Sequence, residues 1–551
     1  MMMVKPLLST VSKRIDKIGY VTDIEGDRKF WWKYVKMSKI LDIVPDNDEK
    51  QQEKFKVILK PHCHFVFGGD INDQYDGDIE VVEEVLKLKR QYPDRVHFIL
   101  GNRDINKLRM TQELSNKHVK EYQWNETYPG TFWTQIFFKG LSPYEQIRSK
   151  GVKFIDSTNN LIDRLRWILS CTMGSPNAFI NRFHELSRRE NANGDNNNNN
   201  IISYDMVVDN FITNIKPNGI FAEYMKHAKL ALVIKDTLFV HGAICTNSYG
   251  WIPGESNNKN NDNDGHTDDI DYNNKRIKDT DVNEWVNKLN AFASKGIYDC
   301  IHSDQDATPW SFTGGYKNHN TPCSNILQYG MGWLPNGKRN RTIVYNQWVI
   351  EDKNKLNSIN FPTEEIINNL HLHGVKRILT GHKPLGDSPA IFSNNDRNFH
   401  VITADTSYSA RTKYLNGMNE ETLKIFDEFK KCDEQHAEHM NKSSDNIPKD
   451  ISDIRHHGRR GYAVSEVIID FDNNKKDSDN NDGVVFIHGT LANGDLFEAN
   501  LNMEPLIGQQ TNDGKFIQGI RLKDQKFIVS HSKGWNVFNE FFKREEVEKM
   551  L

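Results

Sequence analysis

The chain of 551 residues is poor in cysteine: it has six, and none stands in a Cys-x-x-Cys pair. That scatter speaks against a zinc-thiolate site and a disulfide framework and suits reduced thiols. No run approaches about 18 consecutive apolar residues, so no membrane span is expected. Met1 to Tyr20 has Leu7 and Leu8 but no apolar core of a secretory signal, and a cytoplasmic location is expected. Charge of one sign is missing too: 71 Lys and Arg face 75 Asp and Glu, a formal net of -4. This balance argues against a generalised nucleic-acid or polyanion binder, and a nuclease is disfavoured for want of a basic stripe. No internal repeat is present. Hydrophobic residues make up 37%, enough for a sizeable core, and the length suggests two to four domains.

What is present is a series of apolar runs that each stop at a polar cluster with glycine beside it. The central one is Val66-Phe-Gly-Gly-Asp70-Ile-Asn-Asp73-Gln-Tyr-Asp76-Gly-Asp78, with four carboxylates in nine residues. The run Phe65 to Phe67 reads as a buried strand and the glycines as a sharp turn. Clustered carboxylates repel, and a divalent cation is the simplest partner for them. The strand Ile18 to Ile24 ends at Asp23-Ile-Glu25-Gly, Val96 to Leu100 at Gly101-Asn102-Arg103-Asp104, Leu230 to Val240 at His241-Gly242, and Val375 to Thr380 at Gly381-His382. Phe399 to Thr403 is a further strand, ending at Ala404-Asp405-Thr406-Ser407. Helical spacing covers Phe30 to Ile40, where Trp31 and Trp32 read as core, and Ile79 to Gln91. Strand, polar turn and helix alternate, as in an α/β layer that gathers ligand groups at the carboxyl ends of its strands. Carboxylates, one amide and two imidazoles suit a dinuclear site for hard or borderline divalent ions, with Asp70 as the bridging carboxylate. Three Asn-rich tracts read as loops: Asn196 to Asn200, expected to be disordered, Ser256 to Asn274, expected to be a disordered, solvated loop and not a calcium site, and a third between strands Ala463 to Phe471 and Val484 to His488. His488 reads as a strand end without a metal role.

In this order the pieces resemble the calcineurin-like metallophosphoesterase superfamily. Its pattern is Asp-x-His-Gly, Gly-Asp-x-x-Asp-Arg-Gly, Gly-Asn-His-Glu/Asp, a lone His, then Gly-His. The matching pieces are Asp23-Ile-Glu25-Gly26, Gly69-Asp70-Ile-Asn-Asp73-Gln74, Gly101-Asn102-Arg103-Asp104, His241-Gly242 and Gly381-His382. Val-His-Gly and Gly-His-Lys-Pro stand closer to the protein-phosphatase branch than to the nucleases. The resemblance implies an α/β fold, a two-sheet sandwich flanked by helices. A metallophosphoesterase domain would span 1–410, with a helical insert over about 105–229 and loop insertions at about 191–200 and 256–274. Residues 411–551 would be an extension completing the sheet, with a helix and an Asn-rich loop. Asp23, Glu25 and Asp70 would hold one metal, and Asp70, Asn102, His241 and His382 the other. The implied activity is hydrolysis of a phosphoric ester in one step, by a hydroxide held between two divalent ions.

Three departures from the pattern bear on chemistry. Glu25 replaces a metal-binding His, which hardens the site and favours manganese, with iron, magnesium or zinc as alternatives. Gln74 replaces a phosphate-gripping Arg. Arg103 replaces the His that, with Asp73, protonates the leaving group. Arginine, with a pKa above about 12, gives up no proton near neutrality, but it can clamp a phosphoryl oxygen. Arg103 would then supply the charge missing at Gln74 and pair with Asp73. Alkyl phosphates leave poorly without an acid, whereas a phenol of pKa about 10 leaves readily, so phosphotyrosine-like or anhydride substrates are expected. Arg182, Arg188, Arg189, Arg339 and Arg341 are further candidates to close over the phosphate or, individually, solvated charge. Cys63 and Cys171 are expected to be structural or incidental. The expected partner is a phosphorylated protein or small phosphoester, without nucleic acid or membrane. The competing readings are a pseudophosphatase that binds a phosphorylated partner and a nucleotide or polyphosphate hydrolase.

Overall fold

The structure, a computed structural model, describes residues 14–46, 55–115, 134, 138, 140–149, 160–192, 202–253, 270–302, 321–334, 338–352, 356–415, 462–472, 482–533 and 536–551. The tract Asn196 to Asn200 and Cys432 lie outside these residues. The chain is a mixed α/β protein with two large sheets, one of 11 strands and one of 5. No helix among the described residues is long and apolar enough to cross a membrane.

The central strand Lys17–Val21 pairs parallel with Cys63–Phe67, which pairs parallel with Val96–Ile99, and that strand pairs parallel with Ala228–Lys229. On its other edge Lys17–Val21 pairs antiparallel with Val464–Asp470, which leads into Val484–Thr490, Leu496–Asn500, Phe516–Arg521, Lys526–Lys533 and Asn536–Phe542. In the 5-stranded sheet Arg377–Thr380 is central, parallel to both Thr237–Val240 and His400–Thr403.

Successive strand residues face opposite sides. Tyr20, Val66 and Ile99 of the large sheet share a core cluster with Phe239, Leu379 and Ile402 of the smaller one. The Tyr20 and Phe239 rings lie 5.7 Å apart. Phe65, Phe67 and Phe98 point the other way, into a cluster with Trp31 and Tyr34. Those two come from the helix Arg28–Met37, whose N-cap Asp27 accepts from the backbone N–H of Lys29 and Phe30. Trp31 is fully buried, and Trp32 packs against the core while its indole N–H donates to Glu80.

Helices fill most of the described part of 105–229, among them Leu161–Trp167, Ala178–Ala192, Tyr204–Ile215 and Ile220–His227. Two features differ from the sequence expectation there. A π-helical turn, Ile168–Thr172, follows Trp167, and Ala228–Lys229 leaves the helical run to join the large sheet. The tract Ser256 to Asn274 is no loop throughout, because a helix begins at Ile270. The expectation of reduced thiols is corrected at one pair. Cys300 and Cys323 form a disulfide between the helices Val282–His302 and Pro322–Tyr329, a pairing that short-range spacing could not announce.

Candidate metal centre

Parallel strands deliver the residues after them to one edge of a sheet. Asp23, Asp70 and Asn102 follow strands of the large sheet, and His241 and His382 follow strands of the smaller one. The two edges are bonded to each other. His241 Nδ1 donates to Gly68 O at 2.8 Å, and the His382 backbone N–H donates to Asp23 Oδ2 at 3.1 Å. Within the large sheet, the Asp23 N–H donates to Gly69 O and the Glu25 N–H to Asp70 O.

The turns that carry these side chains are strained. Nine non-glycine residues among those described have positive φ, and five are Asp23, Glu25, Asp70, Asp73 and His382. Such backbone is uncommon for L-residues and gathers at functional sites. Gly69, with φ +99°, is required by close approach: a Cβ there would stand 2.6 Å from Gly101 N and 2.8 Å from His241 Nδ1. Asp104 fastens the same turns, its carboxylate accepting from the backbone N–H of Gly101, Asp70 and Ile71 at 2.8, 3.1 and 3.1 Å.

One set of ligand atoms converges. Asp70, His241 and His382 each offer an atom, and all three lie within 4.8 Å of one another. Asn102 Oδ1 joins them, 2.8 Å from His382 Nδ1 and 3.3 Å from His241 Nε2. Because His241 Nδ1 is committed to Gly68 O, its Nε2 is the nitrogen turned to the cluster, 3.4 Å from Asp70 Oδ1. A carboxylate, an amide oxygen and two imidazole nitrogens form a donor set that fits a borderline divalent ion. Asp23 is buried beside this group, its Oδ2 accepting from Thr22 Oγ1 at 2.6 Å.

Glu25 is brought to a different partner. Its Oε1 lies 2.9 Å from Arg103 Nε, and Arg103 Nη1 lies 3.4 Å from Asp73 Oδ2 and 3.2 Å from Ser175 Oγ. Arg103 Nε stands 3.7 Å from Asp70 Oδ2. Asp73 is held more closely by Lys107, whose Nζ is 2.6 Å from Oδ2. Gln74 turns away, its carboxamide donating to Gly174 O at 3.3 Å.

Electrostatics follow from burial among like and unlike charges. Burial pushes the Asp70 carboxyl up, but His241, Arg103 and His382 outweigh it and bring it down to about 2. Burial pushes the His241 imidazole down, and Asp70 and Asp23 reverse this to raise it to about 10. Burial, then the charge of His241, lowers His382 to about 3, so this ring is neutral. Burial, then the charge of Asp405, holds Asp23 well above the usual carboxylate range. Partial burial pushes the Arg103 guanidinium down, but Glu25, Asp73 and Asp70 outweigh it and raise it above its ordinary value.

The remaining arginines are engaged elsewhere. Arg182 pairs with Asp78 at 2.9 Å, Arg188 with Asp76 at 3.1 Å and Arg189 with Glu83 at 2.8 Å. Arg339 lies over the Trp333 ring, and Arg341 is buried near Trp251. His488 bonds Glu466. Cys63 and Cys171 are buried thiols. Sequence reasoning gave no role to Lys107, Ser175, Asp405 or Tyr345, whose ring stands 4.9 Å from that of His382. Asp405 had a signal, a strand end with an acid after it. Ser175 had none, since it reaches Arg103 only through the packing of the insert.

No family model matches the chain, and no curated protein matches it. Solved structures similar to it include the cold-active protein-tyrosine phosphatase of a psychrophile, Shewanella sp., at 12% identity over 88% of this chain and 80% of that one, with a TM-score of 0.35. Another is a protein serine/threonine phosphatase from Saccharomyces cerevisiae with similarity to human phosphatase PP5, at 10% identity over 72% of this chain and 70% of that one, with a TM-score of 0.26. At such identities and TM-scores the chemistry of this chain has to be read from its own side chains.

Proposed function

We propose that this chain is a metal-dependent phosphoric ester hydrolase of calcineurin-like type, a phosphatase whose two facing sheets carry the centre on their joined edges. The observation that carries this reading is the convergence of Asp70, Asn102, His241 and His382 from four different strand ends. Those four would hold one divalent ion, manganese first, and Asp23, Glu25 and Asp70 offer carboxylates for a second. Bound there, divalent ions would supply Lewis acidity and lower the pKa of water.

The other tasks fall to the chain itself. The side chain of Arg103 is 16% exposed, against 6% for Glu25, 4% for Asp70 and 1% for Asp73. It is therefore the group among them most open to an incoming phosphoryl oxygen, and a guanidinium clamps such oxygens well. Ser175 and Glu25 fix its direction. Met173, Gly174 and Ser175 reach Lys107, Gln74 and Arg103, so the insert borders the centre and can shape which ester enters. Asp73 is occupied by Lys107 and Arg103, and among the described residues no imidazole pairs with it to protonate a poor leaving group. A phenolate needs no such help, so phosphotyrosine-like esters suit the site, on a protein or a small molecule. The same occupation of Asp73 favours one second reading, a catalytically weak protein that binds a phosphorylated partner.

Initial rates on matched phosphotyrosine and phosphoserine peptides, with manganese added and then chelated, test this. A higher kcat/KM on the phosphotyrosine peptide, lost on chelation, is expected. A higher value on phosphoserine contradicts the substrate class. Peptide binding without turnover of either one selects the second reading.

A further inference from the structure

The two sides of Asp70 are in unequal condition. On one side Asp70 Oδ1 faces His241, with Asn102 and His382 completing the cluster. On the other side the chain has already supplied its own cations. Glu25 Oε1 is bound by Arg103 Nε at 2.9 Å, Asp70 Oδ2 has the same nitrogen at 3.7 Å, and Asp73 Oδ2 is shared by Arg103 and Lys107. Three carboxylates there meet two fixed positive charges. Among the described residues the convergent ligand group contains Asp70, His241 and His382, and neither Glu25 nor Asp23 belongs to it.

Resting on the function proposed above, we infer that Arg103 is a tethered cation standing in for the second metal ion. One divalent ion binds at Asp70, Asn102, His241 and His382. A second must displace the guanidinium from Glu25 and then sit beside it, like charge against like, in a buried setting where that repulsion is poorly screened. Arg103 has the reach for this role because it stands in the first turn of the short helix Asn102–Lys107 and its backbone N–H donates to Asp70 Oδ1 at 2.8 Å. The guanidinium is thereby anchored to the same carboxylate that both ions would share. Its consequence is a centre with one tightly held ion and one site that Arg103 guards.

The test is a metal count. The full chain is stripped with a chelator, and Mn2+ binding is followed by equilibrium dialysis and native mass spectrometry, without substrate. Wild type is expected to take one Mn2+ tightly and a second only weakly. Arg103→Gln should tighten the second by about ten- to a thousand-fold, the range by which one adjacent unit charge moves a carboxylate equilibrium. Arg103→Lys keeps the cation and should stay near wild type. Glu25→Gln, in the wild-type background, should leave the first ion in place and remove the second, and Arg103→Met, also uncharged, should tighten the second as Arg103→Gln does, which keeps the test decisive if Arg103→Gln does not fold. Two ions of equal affinity in wild type, or a second ion indifferent to Arg103→Gln and Glu25→Gln, overturns the inference. If in that case His241→Ala still removes the tight ion, the functional reading stands. A wild-type chain that binds no Mn2+ overturns both.

Discussion

Asp70 and His241 face one another at 3.4 Å, and each drives the other toward its charged form: the carboxyl is brought down to about 2 and the imidazole up to about 10. An imidazole must be neutral to ligate a metal. Uptake of Mn2+ should therefore release about one proton at pH 8, drawn from His241, because His382 is already neutral. Calorimetry in two buffers of different ionisation enthalpy reads this number directly, and no buffer dependence would contradict the pairing. At this scale the sequence was informative where chemistry is local. Asp70 could be picked out because an apolar run, two glycines and an acid are contiguous. Lys107 could not, because its distance to Asp73 depends on how the helix Asn102–Lys107 lies against the next loop. The turn of Gln74 toward Gly174 was hidden for the same reason.

Between elements, the insert acts on the loop of Asp73 through one buried relay. Arg182, on the helix Ala178–Ala192, pairs with Asp78 Oδ2 at 2.9 Å, and Asp78 Oδ1 accepts from the Asp73 backbone N–H at 2.8 Å. Asp73 itself is held at φ 112°, a conformation that needs such support. Arg182 is 1% exposed, and its guanidinium lies 4.3 Å from the Phe211 ring centroid. Removing it leaves Asp78 buried with its charge uncompensated. Arg182→Leu should cost about 3–5 kcal/mol of stability in denaturant melts. Asp78→Asn in the same background should recover part of that loss, and no recovery would show that the pair is not the cause. The sequence offered Arg182 as a phosphate contact or as surface charge. It is neither, since a single helix pattern does not reveal which acid the neighbouring helix turns toward it. The strands and their polar ends were more legible than their order, because an apolar run with a glycine-rich end leaves its mark within a few residues. The tie between Cys300 and Cys323 left none, because it joins two helices across tertiary space.

For the whole molecule, two histidines in the sheets set a pH dependence of stability. His97 is lowered to about 3 by burial and then by the charge of His64, whose Nδ1 is 3.1 Å from His97 Nε2. His400 is lowered to about 3 by burial and then by Arg377 and Arg397. The unfolded chain takes up these protons near pH 6.5, the folded chain only near pH 3. The stability they confer is thus complete above pH 6.5 and is lost as pH falls toward 3, at about 1.4 kcal/mol per pH unit for each group. Glu185, pushed up to about 7 by burial, works in the opposite sense, so a variant must be compared with wild type at each pH. His97→Gln should show a shallower loss between pH 6.5 and 4.5 in urea melts, and an unchanged slope would contradict the assignment. The mixed α/β class could be read in advance from alternating strand and helix patterns. How six strands from Val464 to Phe542 extend the sheet of Lys17–Val21 could not, because partners so far apart in sequence are chosen by packing.

Asp70 stands at the point where the imidazoles, the amide and the guanidinium come together. The most direct measurement is hydrolysis of an aryl phosphate by the purified chain with Mn2+ added, beside Asp70→Asn, with bound metal counted in both. Wild type is expected to show Mn2+-dependent turnover, and the variant to lose both turnover and tight metal. Turnover that survives in Asp70→Asn, or a wild-type chain that holds no metal and cleaves nothing, would contradict this expectation.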